Sequence, residues 1–241
     1  SFIVLGGMST WNHYLAHKGD PTIFQSYRAD AVVVDGRGVK TLGRLVDHVV
    51  NKKSLTDVPN LFLYNGKNAD ATSKQPEDFD FKKDDINWDL IENDLLGKVA
   101  WVRTQISCPF ACSFCTYPTT AGVVIRADME TLEKGLKQLQ RKGVKYLLFI
   151  DDTFNVPPHR FKQILRLLKK YDFFWSSYIR CGSLDKEQVA DMKESGCIGV
   201  FLGIESGNDN ILGYMNKKVT IEKYRRGVGL LASQGIDTFA S

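Results

Sequence analysis

Three of the five cysteines fall within eight residues, in the stretch QISCPFACSFCTYP from Gln105 to Pro118, where Cys108, Cys112 and Cys115 are spaced C-x-x-x-C-x-x-C. The other two, Cys181 and Cys197, lie far downstream, each beside a run that reads as a strand. An odd count with one tight cluster does not suit a disulfide scaffold; it suits a reducing compartment and a metal. A structural zinc site asks for a fourth ligand at close spacing, and the next histidine is His159. A [4Fe–4S] cluster tolerates the deficit, because three cysteines hold three irons and the fourth iron keeps an open position where a ligand can chelate. Zinc, or three reduced thiols in an apolar loop, remain the alternatives at this point.

The elements that must position these thiols begin at about Lys98. Strand KVAWVRTQI, the cysteine loop, a helix around METLEKGLKQLQRKG, strand KYLLFIDD, helix HRFKQILRLLKK, strand FFWSSYIRC, helix DKEQVADMKESG, strand IGVFLGIES, helix TIEKYRRGVGLLASQG and strand IDTFAS follow in turn. Leu132, Leu136 and Leu139, and Phe161, Leu165 and Leu168, have helical spacing. Gly143, Gly196 and Gly235 each stop a helix just before the next strand. Short apolar strands alternating with helices predict an α/β fold, a parallel sheet covered by helices in a partial (β/α) barrel of five strands.

Parallel strands send their carboxyl ends to one rim, and ligands gather there. Asp151 and Asp152 end the second strand of the repeat, where the pair could receive the amino group of a zwitterionic ligand or cap the next segment. Arg180 ends the third strand and could grip a carboxylate in a bidentate fork, or pair with one of those aspartates. Glu205 and Ser206 end the fourth, placed to hydrogen-bond ribose hydroxyls.

The N-terminal part reads as strand FIVLGG, strand ADAVVVDG and a helix VKTLGRLVDHVV, with Leu42, Leu45, Val46 and Val49 on one apolar face. Residues 1–50 are therefore a piece of α/β structure. Residues 51–97, charged and weakly patterned apart from an Asn65–Gly66 turn signal, read as a linker, and 98–241 as the barrel. His13 and His17, four apart, read as surface histidines. The formal net charge of +4 is mild, with no dense Lys/Arg block, so charge does not argue for a nucleic-acid partner. No apolar run approaches a membrane span, and the opening SFIVLGG has no signal-peptide pattern, which predicts a cytoplasmic protein.

CPFACSFC resembles the cluster motif of the radical S-adenosylmethionine (SAM) superfamily, with the aromatic Phe114 just before the third cysteine. FIDDTFN, YIRCGSLDKEQVADMKESG and GIESGNDNILGYMNKKVT resemble, in order, the second, third and fourth strand regions of that family, so that the resemblance covers roughly Lys98 to Ser241. It implies a [4Fe–4S] cluster on Cys108, Cys112 and Cys115, and SAM held by Phe114, Asp151, Asp152, Arg180, Glu205 and Ser206. It further implies reductive cleavage of SAM to methionine and a 5′-deoxyadenosyl radical, with an electron donor such as flavodoxin or ferredoxin and a small-molecule or natural-product substrate. The N-terminal part is similar to the end of the Rossmann domain and linker of cobalamin-dependent radical SAM enzymes, which implies that residues 1–50 are a partial Rossmann-like domain, makes cobalamin a candidate third cofactor and maps a double glycine of those relatives onto Gly6 and Gly7. Two departures stand against it: DGRG (Asp35–Gly38) replaces the family's usual second loop, and half a Rossmann domain is missing. A glycine pair after a strand also serves as a plain tight turn. The resemblance implies a methyltransferase. The alternatives are another radical SAM reaction with a vestigial Rossmann domain and a metal-stabilised α/β binding scaffold; a methylthiotransferase fits less well, since no cysteine precedes Cys108. The sequence reads as an excerpt of a longer enzyme, inactive as a methyltransferase alone.

Overall fold

The computed structural model describes residues 1–64 and 68–241, and the chain divides into two compact units, Ser1–Phe79 and Asp80–Ser241. The first unit contains β1 (Val4–Leu5), α1 (Met8–Ala16), β2 (Ala31–Val33), α2 (Val39–Val50), β3 (Leu61–Tyr64) and β4 (Ala69–Ala71), its sheet ordered β1-β2-β3-β4. Only β1 and β2 pair in parallel; the other two pairings are antiparallel. Side chains alternate across this sheet, as the two-residue period of a strand requires. Val32, Val34 and Phe62 pack with Phe24 in one cluster, and Ala31, Val33 and Leu61 pack with Leu45 of α2 in another. Of the four apolar α2 positions expected on one face, only Leu45 is fully buried, and Leu42 and Val46 are about half exposed. Strands of two to four residues cover only one stripe of a twelve-residue helix.

Residues 51–64 and 68–79 are built into this unit, although the sequence reads them as linker. Asn60, buried and left-handed, donates its side-chain amide to the Gln75 carbonyl at 2.7 Å and accepts from the Gln75 N–H at 2.8 Å. The Glu77 carboxylate accepts the N–H groups of Lys40 and Thr41 at the start of α2, at 2.9 and 2.6 Å. Hydrogen bonds of this kind leave no apolar periodicity, so a pattern-based reading passes over them. The expected Asn65–Gly66 turn lies outside the described residues.

The second unit opens with α3 (Phe81–Asp84) and α4 (Asn93–Leu96), followed by β5 (Val99–Val102), β6 (Gln105–Ile106), α5 (Tyr117–Ala121), β7 (Ile125–Arg126) and α6 (Met129–Arg141). It continues through β8 (Tyr146–Phe149), α7 (Pro158–Leu168), β9 (Phe174–Ile179), α8 (Lys186–Glu194), β10 (Cys197–Leu202), α9 (Asp209–Tyr214), α10 (Ile221–Ser233) and β11 (Asp237–Ala240). Five strands form one all-parallel sheet in the order β11-β10-β9-β8-β5, as the βα rhythm predicts. Residues 80–97 also belong here: Trp88 is buried in the main core, and Asp89 pairs with Arg141 of α6 at 2.8 Å.

Helix starts follow their caps. Asp128 accepts the Thr131 N–H ahead of α6, and Asp185 and Gln188 form a reciprocal capping box on α8. The three helix-ending glycines all take left-handed φ values. At Gly196 the need is absolute, since a Cβ there would stand 2.1 Å from the Phe173 carbonyl oxygen. Helices cover only one face of the sheet, against Ala100, Leu147, Phe149, Trp175, Val200 and Leu202. The other face is open: Trp101, Tyr146, Phe174, Tyr178 and Phe239 stand on it, 43–64% exposed. An open face turns the expected run of buried residues into alternation along each strand.

Candidate functional site

At the carboxyl ends of β8, β9, β10 and β11 lies a cavity of about 410 Å³, and Cys108, Cys112 and Cys115 all line it. Their loop leaves β6 through Ser107, a non-glycine residue at φ 70° whose hydroxyl donates to the Gly122 carbonyl at 2.7 Å. A left-handed residue immediately before the first cysteine turns the chain sharply, at a conformational cost the neighbouring bonds must offset. Cys108 Sγ lies 3.2 Å from Thr153 Oγ1 and Cys112 Sγ 3.7 Å from Arg180 Nη1, while Cys115 is exposed. Among the described residues no three His, Cys, Asp or Glu side chains close around a single metal ion. In a [4Fe–4S] cluster each thiolate binds a different iron, so a set of three cysteines lining one cavity is compatible with it.

The two aspartates expected to act together are separated by the structure. Asp151 is buried and turned away from the cavity: its Oδ1 accepts the N–H groups of Thr104 and Gln105 at 2.7 and 3.0 Å, and its Oδ2 accepts the Thr104 hydroxyl at 2.5 Å. Burial pushes its carboxyl up to about 6 even though these three bonds and the Arg103 charge pull it down. Asp151 thus braces the chain leaving β5 against the end of β8. Asp152 lines the cavity, its carboxyl also raised by burial and partly offset by Arg103 and by a hydrogen bond from Tyr117. Tyr117 accepts the Ser107 N–H at 3.4 Å, so one hydroxyl connects Asp152 to the cysteine loop.

Arg180 reaches the cavity from the end of β9. Asn155 fixes its backbone from both sides, accepting the Arg180 N–H and donating to the Arg180 carbonyl, each at 3.0 Å. The guanidinium stacks on Phe110 at 3.8 Å, and its Nη2 is buried with no hydrogen-bond partner. A buried charged donor left unpaired is costly. It does not pair with either aspartate among the described ion pairs.

Glu205, at φ 64°, also lines the cavity and accepts from Lys217 Nζ at 3.2 Å. Lys217 is almost wholly buried and lies 5.6 Å from the centroid of Phe114. Gly203 leaves room for the pair, since a Cβ there would come within 2.8 Å of Glu205 Oε1 and 3.3 Å of Lys217 Nζ. Ser206 does not join them: its hydroxyl accepts the Asn208 N–H at 3.1 Å, and it lines a separate hollow beside α10. Cys181 and Cys197 are buried in the core, their thiols raised by burial, that of Cys197 to about 12.

In the first unit Gly6 and Gly7 link β1 to α1, Gly7 at φ 90° standing as the N-cap. Val33 lies 3.4 Å from where a Gly6 Cβ would be, and nothing lies within 4 Å of a Gly7 Cβ. His17 Nδ1 lies 2.9 Å from the His13 carbonyl oxygen, which occupies it locally.

Tyr117, Asn155 and Lys217 are absent from the sequence-based site. Asn155 lies in FIDDTFN and Tyr117 two residues past the last cysteine, so position alone could have flagged both. A buried lysine in a polar turn has no comparable signal.

Residues 102–241, which hold most of the parallel sheet and the three-cysteine loop at its carboxyl rim, match the radical SAM superfamily. The chain belongs to that superfamily. It is 29% identical over 234 residues to the uncharacterized methyltransferase PH0819 of Pyrococcus horikoshii, covering 91% of this chain and 48% of the relative. Its fold is like that of the radical SAM methyltransferase TsrM from Kitasatospora setae, solved with cobalamin and a [4Fe–4S] cluster, with a TM-score of 0.71 at 19% identity over 98% of this chain and 50% of that one. The cobalamin-dependent radical SAM enzyme OxsB, with aqua-cobalamin bound, gives 0.69 at 18% identity over 100% and 36%. The chain thus spans about half the length of the relative it matches in sequence.

Proposed function

We propose that this chain is the cluster- and SAM-binding part of a cobalamin-associated radical SAM methyltransferase. The observation that carries the reading is Arg180, which lines the same cavity as the three cysteines and whose buried Nη2 has no hydrogen-bond partner. Cys108, Cys112 and Cys115 would hold a [4Fe–4S] cluster, which when bound supplies the electron that cleaves SAM reductively. The protein's own part is to bind and orient. Arg180 takes the ligand carboxylate with the donor it has spare, and Asp152 accepts the ammonium group. Phe114 offers an apolar surface, and Glu205, held by Lys217, faces the ribose. Asp151 serves the site indirectly, by holding the strand end that carries Asp152.

The methyl-transfer assignment draws on the methyltransferase relative and on the likeness to two cobalamin enzymes. Cobalamin would meet the first unit at the Gly6–Gly7 turn, where the absence of nearby atoms around Gly7 leaves the backbone approachable. The substrate is a small molecule and the reductant a flavodoxin or ferredoxin type of donor. No helix among the described residues is long and apolar enough to cross a membrane.

Anaerobic reconstitution tests the core of this reading. The expected product is a brown protein carrying iron and labile sulfide, bleached on reduction, that converts SAM to methionine and 5′-deoxyadenosine. Cys112→Ala should lose most of the iron and Cys181→Ala should keep it. A colourless protein that takes up zinc in place of iron would refute the proposal. Titration with hydroxocobalamin separately tests the third cofactor.

A further inference from the structure

The cysteine loop is fastened by a segment about a hundred positions away in sequence. The Ser113 N–H donates to the Met215 carbonyl at 3.0 Å, the Ser113 hydroxyl to the Tyr214 carbonyl at 3.1 Å, and the Asn216 side-chain amide to the Ala111 carbonyl at 2.7 Å. Ala111 and Ser113 flank Cys112, so all three bonds bracket a single cysteine.

The fastening segment follows α9, and its backbone has an unusual form. Asn216 and Lys218 have φ values of 54° and 56°, one on each side of Lys217. Asparagine is among the few non-glycine residues that enter this region readily. Here its side chain also carries the amide donor that the Ala111 carbonyl receives. Glycine could take the same backbone shape but could not make the bond. The same short turn delivers Lys217 to Glu205 and Phe114.

We propose that Asn216 is a positioning residue for the cluster loop, and that Tyr214–Lys218 is a latch holding Cys112 in register with Arg180 and Lys217. The inference rests on the proposal that these cysteines bind a cluster. A ligand loop attached only at its ends lets a thiolate swing off its iron; fastening on both sides of Cys112 slows that exchange. The latch also joins the cluster loop to the Lys217–Glu205 pair, so loosening it should change how the cluster responds to SAM.

The test is anaerobic reconstitution of the chain and of Asn216→Gly, Asn216→Asp and Ser113→Ala. Three quantities are read: the rate at which a ferrous chelator strips the iron, the EPR spectrum of the reduced cluster with and without SAM, and the thermal melt. Asn216→Gly preserves access to the left-handed backbone and removes the amide; Asn216→Asp preserves size and places an acceptor against a carbonyl. Both should load iron fully and then lose it roughly two- to tenfold faster than the parent, as the loss of one hydrogen bond implies. Their SAM-induced EPR change should be weakened, with the melt unchanged. Ser113→Ala, which keeps its backbone bond, should show a smaller effect. An Asn216→Gly chain with the parent's stripping rate and EPR response overturns the latch. So does a variant whose melt falls in step with its iron loss, because Asn216 would then serve the fold as a whole. A parent chain that builds no cluster sinks the cofactor reading and the latch with it, whereas a clustered parent with indifferent variants sinks the latch alone.

Discussion

Removing the Asp151 side chain should harm the fold more than it harms the cofactor chemistry. Asp151→Ala strands three buried donors, the N–H groups of Thr104 and Gln105 and the Thr104 hydroxyl. An unsatisfied buried donor costs about 1–3 kcal/mol, and partial relaxation brings the total to about 3–5 kcal/mol. Asp151→Asn keeps an acceptor for the two backbone donors, and the Thr104 hydroxyl can rotate to accept from the new amide, so its cost is about 1 kcal/mol or less at neutral pH. The two variants also differ from the parent in pH dependence. Folding raises the Asp151 carboxyl from 3.8 to about 6. The stability linked to its protonation is therefore fully present below 3.8 and is lost as pH rises through about 6, a loss of about 3 kcal/mol across that window. Asp151→Asn cannot titrate and should lack that component. Urea unfolding at pH 4.5 and pH 7.5, followed by tryptophan fluorescence because Trp175 lies in the core, measures both effects. An Asp151→Ala chain within 1 kcal/mol of the parent at pH 7.5, or an Asp151→Asn chain with the parent's full pH dependence, would refute the brace.

Arg180→Gln should lower SAM affinity by roughly ten- to a hundredfold, the worth of a hydrogen bond to a charged group, as read by equilibrium dialysis on the reconstituted chain, with its thermal melt nearly unchanged. Gly203→Ala should displace the Glu205–Lys217 pair and weaken SAM binding, while costing less than about 1 kcal/mol in a urea melt because the crowded atoms are the ends of flexible side chains. Gly196→Ala should destabilise the second unit by more than about 2 kcal/mol, since the obstacle there is the Phe173 carbonyl and φ is 92°. Asp152→Asn should reduce SAM affinity more than Asp151→Asn does; the reverse order would return the ligand role to Asp151.

The βα repeat was legible because each of its parts has a local signal. Leu132, Leu136 and Leu139 mark the buried stripe of α6, and Gly196 marks the end of α8 by a conformation that few other residues adopt. The cysteine loop was legible because ligand spacing is itself a local property. What escaped the sequence lies in contacts between distant residues. Asp151 and Asp152 are identical in type and adjacent, and only the path of the chain through Thr104 and Gln105 decides which is consumed by the backbone. Glu77 reads as one charge in a polar stretch until α2 is placed against it, and it then turns out to bind the helix start. Lys217 lies in a run of polar residues, and nothing short of the fold shows that it is buried. The α2 face failed for a related reason: periodicity shows which residues could be covered, and the length of the sheet decides how many are.

The one-sided covering of the parallel sheet has an optical consequence. Trp175 and Trp101 sit on opposite faces of that sheet. Trp175 is sealed in the core with its indole N–H bonded to the Ser195 carbonyl at 3.0 Å, and Trp101 is 64% exposed on the open side. The two indoles therefore emit from different solvents. Trp175 should be blue-shifted and shielded from iodide, and Trp101 red-shifted and readily quenched. Anything that comes to lie on the open face, whether a substrate or a further stretch of protein, must change the Trp101 emission while sparing that of Trp175. A Trp101→Phe chain supplies the baseline, so the protein carries its own gauge of what fills its inner surface.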